Sequence, residues 1–348
     1  MVTETISPDV VVTPTRILQT GLGFWSSKVL LSAVNLKLFT LLAQGSKTAN
    51  EISTSLHLQQ RGLNDFLDAL VAMNFLHREG NGAGAKYCNT LESDSYLDKN
   101  KSCYIGGILE MANNRLYPFW SHLEEALQTG MPQNEVKSGE KPLFEALYED
   151  ENRLEEFIAA MAGIQTANFM AFASQFNFAD HYTHCDVGGA GADLSIQIAK
   201  HNPAMQSTSW DLPKVTPIAT RNIERHEVQD RVVAKSGDFF KEDFPKADVI
   251  TMGNILHDWD LEQKKMLIQK AYKALPKGGV LVAIENVIDD ERRENAFGML
   301  MSLNMLIETH GGFDYTAADF TSWAKDAGFS RVDLMHLTGP SSAVIAYK

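Results

Sequence analysis

The chain of 348 residues is poor in cysteine, in basic residues and in long apolar runs. Its three cysteines, Cys88, Cys103 and Cys185, form no CxxC pair, so a disulfide framework and a zinc site are disfavoured and a reducing compartment is expected. The 31 Lys and Arg against 44 Asp and Glu give a net charge of −13. Nucleic acid and anionic membranes are therefore poor partners on global charge.

Membrane and secretory segments are also missing from the pattern. No apolar run approaches the ~20 residues that span a bilayer. The start, MVTETISPDVVVTPTRIL, lacks the basic and apolar regions of a secretory signal. With 44% hydrophobic residues, the length suffices for two or three packed domains. We expect a soluble cytoplasmic protein.

The first hundred residues predict a small helical domain. Apolar positions recur at helical steps over 16–44, 48–56 and 61–76, and a Gly/Asn-rich hairpin pattern follows over 76–90. This order is typical of a winged helix, a module that binds DNA in some proteins and dimerises others. Helix 61–76 carries Arg61 as its single basic residue, which favours dimerisation.

Residues 105–175 are helical in pattern, with a polar break over 130–142. From about residue 180, short β-like runs alternate with helical stretches, which is typical of a βαβ series with a parallel sheet, and the last 18 residues predict an antiparallel strand pair.

Met and Phe at helical spacing serve equally well as core or as the lining of a pocket for a flat ligand. The pocket candidates are Met161, Phe169, Met301 and Met305, together with His310 as polar lining.

The sharpest local motif is CDVGGAGADLSIQIAK, residues 185–200. A strand ends at Asp186, a glycine turn follows, and a helix starts near Asp193, so the backbone can approach a ligand closely. Asp211 ends a second strand about 25 residues later, a placement suited to ribose hydroxyls. An ordinary tight turn and a nicotinamide nucleotide site remain alternatives at this point.

Four further polar residues follow predicted strands or lie close behind them. Asp238 ends VVAKSGD, His257 follows the apolar run ADVITMGNIL, Glu285 closes GGVLVAIE, and Asp314 lies in HGGFDYT. Because parallel strands end at one edge of the sheet, these side chains are expected in one crevice.

These motifs resemble the plant-type small-molecule O-methyltransferases, which include caffeate, flavonoid and acetylserotonin methyltransferases and bacterial antibiotic-tailoring enzymes. The similarity covers nearly the whole chain: GFWSSKVLLSAVNLKLFTLLA, DVGG, FFxxDFPxADVITMGNILHDW, LPKGGVLVAIENVIDDERR and SLNMLIETHGGFDYTAADFTSWAKDAGF stand in family order. The resemblance implies a Rossmann-like class I methyltransferase sheet behind a dimerising winged helix. The expected division is 1–104 for dimerisation, 105–178 for a helical linker and pocket region, and 179–348 for the catalytic domain.

The resemblance implies S-adenosylmethionine as methyl donor, S-adenosyl-L-homocysteine as product, and a homodimer through the N-terminal domain. The implied cofactor residues are Asp186, Gly188, Gly189, Asp211, Leu212, Asp238 and Phe239. His257 matches the general base, and Glu285 and Asp314 match two acids that hold its imidazole. A neutral imidazole can take a phenol proton while the oxygen attacks the methyl group in line.

The sequence departs from the family pattern in three respects, at four positions. Ala190 and Ala192 replace the last two glycines of the turn, Gly253 stands where a lysine near the adenine is often found, and His310 precedes the Gly-Gly pair. His257, Glu285 and His310 together would form a facial metal triad. The alternative function is therefore a metal-assisted C-methyltransferase of a 2-oxo acid, with a divalent metal as additional cofactor.

Our main hypothesis is an enzyme of secondary metabolism that methylates a hydroxyl of a small aromatic molecule. Two rivals from other classes are a ligand-responsive DNA-binding regulator and a cofactor-binding protein that has lost methyl transfer. The negative charge argues against the first, and the joint presence of His257, Glu285 and Asp314 argues against the second. Side-chain identities alone do not define the acceptor or the methylated atom.

Overall fold

The computed structural model describes residues 12–101, 103–139 and 148–348, and the chain divides into two compact units between Asn114 and Arg115. The first eleven residues, which begin the segment judged not to be a secretory signal, lie outside the described part. So do residues 140–142 at the end of the predicted polar break. The predicted linker region 105–178 has its first ten residues in the first unit and the remainder in the second.

The first unit consists mainly of helices. In its described part they are α1 (Thr15–Gly21), α2 (Phe24–Asn35), α3 (Leu38–Leu42), α4 (Ala49–Leu56), α5 (Leu63–Ala72), α6 (Leu91–Leu97) and α7 (Gly106–Met111). Strands β1 (Lys47–Thr48), β2 (Leu76–Glu79) and β3 (Lys86–Asn89) form a sheet in the order β1-β3-β2. The predicted helices followed by a hairpin are confirmed, although the segment 16–44 forms three helices rather than one.

Local sequence explains these boundaries. Lys37, with φ of 59°, takes the left-handed conformation between α2 and α3 and so interrupts the helix. Thr48 caps α4: its hydroxyl accepts from the Glu51 amide while the Glu51 carboxylate accepts from the Thr48 amide. Leu38, Phe39 and other apolar side chains of the unit pack into one buried core.

The second unit contains the large sheet. Its described helices are α8 (Tyr117–Trp120), α9 (Leu123–Thr129), α10 (Glu151–Gln175), α11 (Asp193–His201), α12 (Thr216–Arg225), α13 (Leu261–Ala274), α14 (Ala296–Glu308) and α15 (Ala317–Ala327). Its strands are β4 (Thr183–Val187), β5 (Gln206–Asp211), β6 (Val232–Ser236), β7 (Val249–Gly253), β8 (Val280–Glu285), β9 (Arg331–His336) and β10 (Ser342–Tyr347). A π-helical segment, Ala112–Leu116, spans the division between the units.

The sheet confirms the predicted α/β architecture. In the described part its order is β6-β5-β4-β7-β8-β10-β9. The first five of these strands run parallel, and β10 pairs antiparallel with both β8 and β9, as the end of the sequence predicted. The carboxyl ends of β4 to β8 therefore meet at one edge, which is where a parallel sheet binds its ligands.

Both faces of the sheet are covered by helices. Along β8, Val280, Val282 and Ile284 pack on one side with residues of α10 and α11, while Leu281 and Ala283 pack on the other with residues of α13 and α15. Successive side chains of a strand point to opposite faces, so a strand covered on both sides reads as a continuous apolar run. All six residues of β8 are buried.

Helix α10 is the one helix of the described residues with the length and apolar composition to cross a membrane. It contributes Leu154, Ile158, Phe172 and Ala173 to buried cores of the second unit. Such core helices pass the same test of length and composition.

Candidate active site

The glycine turn after β4 brings backbone to the edge of the sheet. Gly188 has a φ of +72°, and its amide donates to the Trp210 carbonyl at 2.9 Å. A Cβ atom at Gly188 would lie 2.4 Å from Cδ1 of Ile255, and one at Gly189 would lie 2.4 Å from Oγ of Ser209. Both positions therefore require glycine, because protein side chains already occupy the space that a Cβ atom would fill.

The two alanines of the turn keep the conformation that glycine favours. Ala190 has a φ of 43° and Ala192 a φ of 65°, both in the left-handed region. The Ala190 amide donates to Oδ2 of Asp211 at 2.9 Å, and Ala192 is fully buried ahead of α11. The turn thus forms despite the substitutions, at a cost in backbone strain.

Asp211 is fixed at the end of β5 before any ligand arrives. Its carboxylate accepts from the Ala190 amide and, at 2.6 Å through Oδ1, from the Leu212 amide. Burial raises the pKa of Asp211, and the two amide bonds counter that effect. The carboxylate retains lone pairs for a diol at the sheet edge.

The loop after β6 presents Asp238 and Phe239. Oδ1 of Asp238 accepts from the Phe240 amide at 2.9 Å, and the bond from Lys241 holds the pKa of Asp238 below its usual value. Lys270 of α13, which sequence analysis missed, donates to the carbonyls of Phe239 at 2.7 Å and Glu242 at 2.8 Å. These two hydrogen bonds therefore hold the loop against α13.

Asp186 lies beneath the turn in a buried polar chain. Thr251 donates to its Oδ1 at 2.6 Å, and Nε2 of His184 lies 2.8 Å from the Thr251 hydroxyl. Burial raises the pKa of Asp186 to about 7 and lowers that of His184 to about 3. His184 is therefore a core residue whose two ring nitrogens both have hydroxyl partners.

Phe169 of α10 lies beside Gly253 at the end of β7. A Cβ atom at Gly253 would lie 3.4 Å from the Phe169 ring. The space next to the position where the family often has lysine is therefore bordered by an aromatic ring, that of Phe169, one of the pocket candidates.

His257 is the central side chain of the edge. It lies in a 3₁₀ turn, Leu256–Asp258, just after β7, and is 7% exposed. Its Nδ1 is 3.4 Å from Oδ1 of Asp314, and its Nε2 is 3.5 Å from Oδ1 of Asp258. The structure thus brings His257 and Asp314 together as expected.

Glu285 holds a different part of His257 from the one expected. Its Oε1 accepts from the backbone amide of His257 at 3.1 Å, so it fixes the turn rather than the imidazole ring. The reason is geometric: Glu285 ends β8 and therefore faces the start of the neighbouring turn. The second carboxylate at the ring is Asp258, which sequence analysis treated only as the middle of the HDW motif.

Charge around the imidazole stabilises its protonated form. Burial alone lowers the pKa of His257, but Asp258, Asp314 and Glu285 outweigh it and raise the pKa to about 10. Burial in turn raises the pKa of Asp258 and of Glu285. Tyr315, missed by sequence analysis, is 1% exposed, and burial raises the pKa of its phenol as well.

The remaining pocket candidates lie on two helices. Met301 and Met305 are on α14, where Met305 is buried, and Met161 is partly buried on α10. The hydroxyl of Ser302, also on α14, accepts from the Asp314 amide at 3.1 Å and links this helix to the base.

The predicted metal triad is not assembled. Among the described residues, no group of three His, Cys, Asp or Glu side chains is placed to hold a metal ion, and His310 is exposed. His257 instead faces Asp258 and Asp314. The alternative ligand set of His257, Glu285 and His310 is therefore wrong, because His310 lies beyond the end of α14 and is not turned into the edge.

Comparison with known proteins agrees with this geometry. Residues 120–330 match the model of the O-methyltransferase domain, and residues 18–99 match that of the O-methyltransferase dimerisation domain. The chain is 36% identical over 335 residues to the tetracenomycin polyketide synthesis 8-O-methyl transferase TcmO of Streptomyces glaucescens, covering 96% of this chain and 97% of that protein.

Two further matches come from vertebrates. Acetylserotonin O-methyltransferase of Gallus gallus is 31% identical over 339 residues, covering 96% and 97% of the two chains. The crystal structure of human N-acetylserotonin methyltransferase in complex with SAM matches with a TM-score of 0.89 and 27% identity, covering 98% and 99%.

The fold and the sheet edge define an S-adenosylmethionine-dependent methyltransferase. The chain belongs to the O-methyltransferase family, as its motifs predicted. The edge fits this cofactor on its own geometry, since the positive-φ glycine turn at Gly188 and the carboxylate of Asp211, already held by two backbone amides, lie at adjacent strand ends.

Proposed function

We propose that this enzyme transfers a methyl group to a hydroxyl of a small aromatic molecule, with His257 as the general base. The observation that carries the proposal is the buried imidazole at the carboxyl edge, with one ring nitrogen 3.4 Å from the nearly unexposed Asp314. The other nitrogen lies on the side of Asp258, whose side chain is 20% exposed, and this is where an acceptor hydroxyl would approach. The names of two relatives, which refer to tetracenomycin polyketide synthesis and to acetylserotonin, support this acceptor class.

The raised pKa of His257 suits a phenolic acceptor. A phenol has a pKa near 10, close to the value of about 10 that the surrounding carboxylates give the imidazole. Proton transfer between matched groups is nearly balanced in free energy, and Asp314 stabilises the imidazolium that results. Because the resting imidazole is protonated at neutral pH, we expect the rate to rise with pH through the alkaline range.

We assign the cofactor residues by their place on the edge. The backbone of Gly188 and Gly189 would approach the methionine portion, with Asp186 fixing the turn from below. Asp211 and Leu212 would meet the ribose, while Asp238 and Phe239 would flank the adenine. S-adenosylmethionine supplies an electrophilic methyl group on a sulfonium, and the chain's own contribution is to hold the nucleophile in line with it.

Acceptor contacts are proposed for the Met and Phe side chains of α10 and α14. These are Met161, Phe169, Met301 and Met305, with His310 at the exposed rim. Flexible thioethers and aromatic rings adapt to flat apolar ligands. On this basis the functional division is dimerisation for 1–104, acceptor lining within 105–178, and cofactor binding and catalysis for 179–348.

A phenol panel with isotope-labelled methyl donor tests the function. We expect methyl transfer to an aromatic hydroxyl by the wild type, and a loss of about 10²–10⁴-fold in kcat for His257→Gln. Calorimetry should show that His257→Gln binds the methyl donor as tightly as the wild type. Equal turnover by the two proteins would contradict the role of His257, and methylation confined to nitrogen or carbon would contradict the acceptor.

The dimerisation-domain match supports a homodimer, and we propose that α1 and α2 form its contact. Ile17, Phe24 and Trp25 are 73%, 49% and 60% exposed. Such a cluster is typical of an interface. Light scattering should give a dimer for the wild type and a monomer for Trp25→Glu. Leu334→Glu, at a 57% exposed apolar residue of β9, should remain dimeric.

We propose that the partner of this chain is a small-molecule acceptor, rather than nucleic acid or a membrane.

All three cysteines of the chain are free thiols, and Cys103 is exposed. Free exposed thiols persist in reducing compartments, so we place the enzyme in the cytoplasm.

A further inference from the structure

Lys264 is a fully buried lysine beside the active-site turn, and the proposed chemistry makes no use of it. It is 0% exposed and is the fourth residue of α13. Lysine is almost never fully buried without compensation. Near the amino end of a helix, a cation also faces the positive end of the helix dipole. Two unfavourable terms therefore act on this side chain, and its surroundings must offset both.

The contacts of Lys264 point back to the turn that carries His257. Its Nζ donates to the carbonyl of Trp259, two residues after His257. The same Nζ lies 3.6 Å from the centre of the Phe313 ring, next to Asp314 in the chain. Helical side chains tilt toward the amino end of their helix, which explains this direction. The ammonium thus links the two segments that supply the imidazole and its carboxylate.

Carboxylates from four segments of the chain act on this ammonium electrostatically. They are Asp258 from the turn, Asp260 from the cap of α13, Glu285 from β8 and Asp314 from the segment after α14. Burial nevertheless lowers the pKa of Lys264 to about 8. Lys264 in turn lowers the pKa of Asp258, the carboxylate at Nε2 of His257. Lysine and histidine therefore share three of these carboxylates, those of Asp258, Glu285 and Asp314.

We propose that Lys264 is a positioning residue for methyl transfer, whose buried ammonium fixes the His257 turn and offsets the carboxylates around the imidazole. The proposal rests on the proposed function for its catalytic consequence, but not for its electrostatic one. Without the ammonium, the same carboxylates act on His257 alone. The imidazole then holds its proton more tightly, and a smaller fraction of the enzyme carries a free base.

The test is an NMR titration of the His257 ring in the full-length protein without ligands, with the signal assigned from its loss in His257→Gln. We expect Lys264→Met to raise the midpoint by roughly one unit. Lys264→Gln, which keeps a donor for the Trp259 carbonyl, should raise it similarly. Lys265→Met, at the next residue of α13, is the matched control: Lys265 is 39% exposed and pairs with Asp326, so its loss should leave the midpoint unchanged.

Activity gives the second readout. In Lys264→Met the rising limb of the pH–rate profile should move to higher pH by the same amount, with about tenfold lower kcat at a fixed pH on that limb. Lys264→Gln should retain more of the plateau kcat than Lys264→Met, because it still holds the turn. Both variants leave the neighbouring carboxylates without their cation, and removing one partner of a buried charged group is strongly destabilising. If Lys264→Met does not fold, Lys264→Gln, which keeps the hydrogen bond to the Trp259 carbonyl, carries the test.

The outcomes separate this proposal from the proposed function. An unchanged or lowered His257 midpoint in both Lys264 variants overturns the role of Lys264, whatever the activity. A raised midpoint in a protein that methylates no phenol supports the charge coupling and rejects the proposed acceptor. A change in melting temperature alone, with midpoint and pH profile unchanged, makes Lys264 merely structural.

Discussion

The two halves of the sheet edge hold their carboxylates in different ways. On the cofactor side, Asp211 and Asp238 accept from backbone amides at 2.6–2.9 Å. Around the base, neither oxygen of Asp314 has a hydrogen bond of good geometry among the described residues, and its nearest charged partner is the imidazole at 3.4 Å. The cofactor half is thus fixed by the backbone in advance, whereas the pairing of Asp314 with the imidazole ring depends on charge. Substitutions in the first should change affinity, and those in the second should change protonation.

The largest expected effect distinguishes Asp314, which meets the imidazole ring, from Glu285, which meets the His257 backbone amide. Asp314→Asn removes the partner of the imidazole ring and should lower kcat about a hundredfold or more, because the ring loses its orientation. Glu285→Gln keeps an oxygen for the His257 amide and should lower kcat only about tenfold. Both remove negative charge, so both should move the rising limb of the pH–rate profile to lower pH. Kinetics at saturating donor over pH 6–10 measure this.

Calorimetry supplies the control for that pair of variants. Neither substitution should alter the affinity for the methyl donor, since neither residue contacts the cofactor half. A larger loss of kcat in Glu285→Gln than in Asp314→Asn would contradict this prediction. It would show that the contact of Glu285 with the His257 amide matters more for catalysis than the contact of Asp314 with the imidazole ring.

A smaller effect is expected in the cofactor half. Asp211→Asn leaves one acceptor oxygen for the Ala190 and Leu212 amides, and a buried donor without a partner costs about 1–3 kcal/mol. We expect the affinity for the methyl donor to fall by about 10–100-fold, and the pH–rate profile to stay where it is. Asp238→Asn, whose ionic partner Lys241 is 82% exposed, should weaken binding less. A shift of the rising limb of the pH–rate profile in Asp211→Asn would contradict the proposed separation between the cofactor half and the catalytic half.

The smallest effect concerns the strained turn. Ala190→Gly relieves a left-handed alanine, worth about 1–2 kcal/mol, against an entropy cost of about 0.5–1 kcal/mol for glycine. We expect a gain of about 0.5 kcal/mol in unfolding free energy, measured by denaturant titration. Ala192→Gly removes a fully buried methyl group and should gain nothing. Loss of stability in Ala190→Gly would show that its methyl packs better than its partial burial suggests.

Much of the fold was predictable from short-range pattern. The change from helical to alternating strand–helix periodicity near residue 180 predicted the parallel sheet, and the closing segment predicted the antiparallel strands β9 and β10. The single helix expected over 16–44 is interrupted twice, after Gly21 and at Lys37. At Lys37 the cause is a single left-handed residue of ordinary type, which leaves no mark in the apolar spacing.

Prediction was less complete for the site. The pairing of His257 with Asp314 followed from the family motifs. The contacts of Asp258, the buried position of Lys264 and the wall that Phe169 forms beside Gly253 did not follow. These depend on the direction of side chains from elements far apart in sequence, and neither spacing nor residue type encodes that direction.

The sequence by itself determined which residues reach the sheet edge, because parallel strands deliver whatever follows them to a common side. It also determined the glycine turn, since Gly188 and Gly189 alone leave room for Ile255 and Ser209. Only the tertiary structure decided what each carboxylate holds. Glu285 meets a peptide amide, Asp314 meets the imidazole, and His310 stays outside, because distance and burial within the folded core set these partnerships.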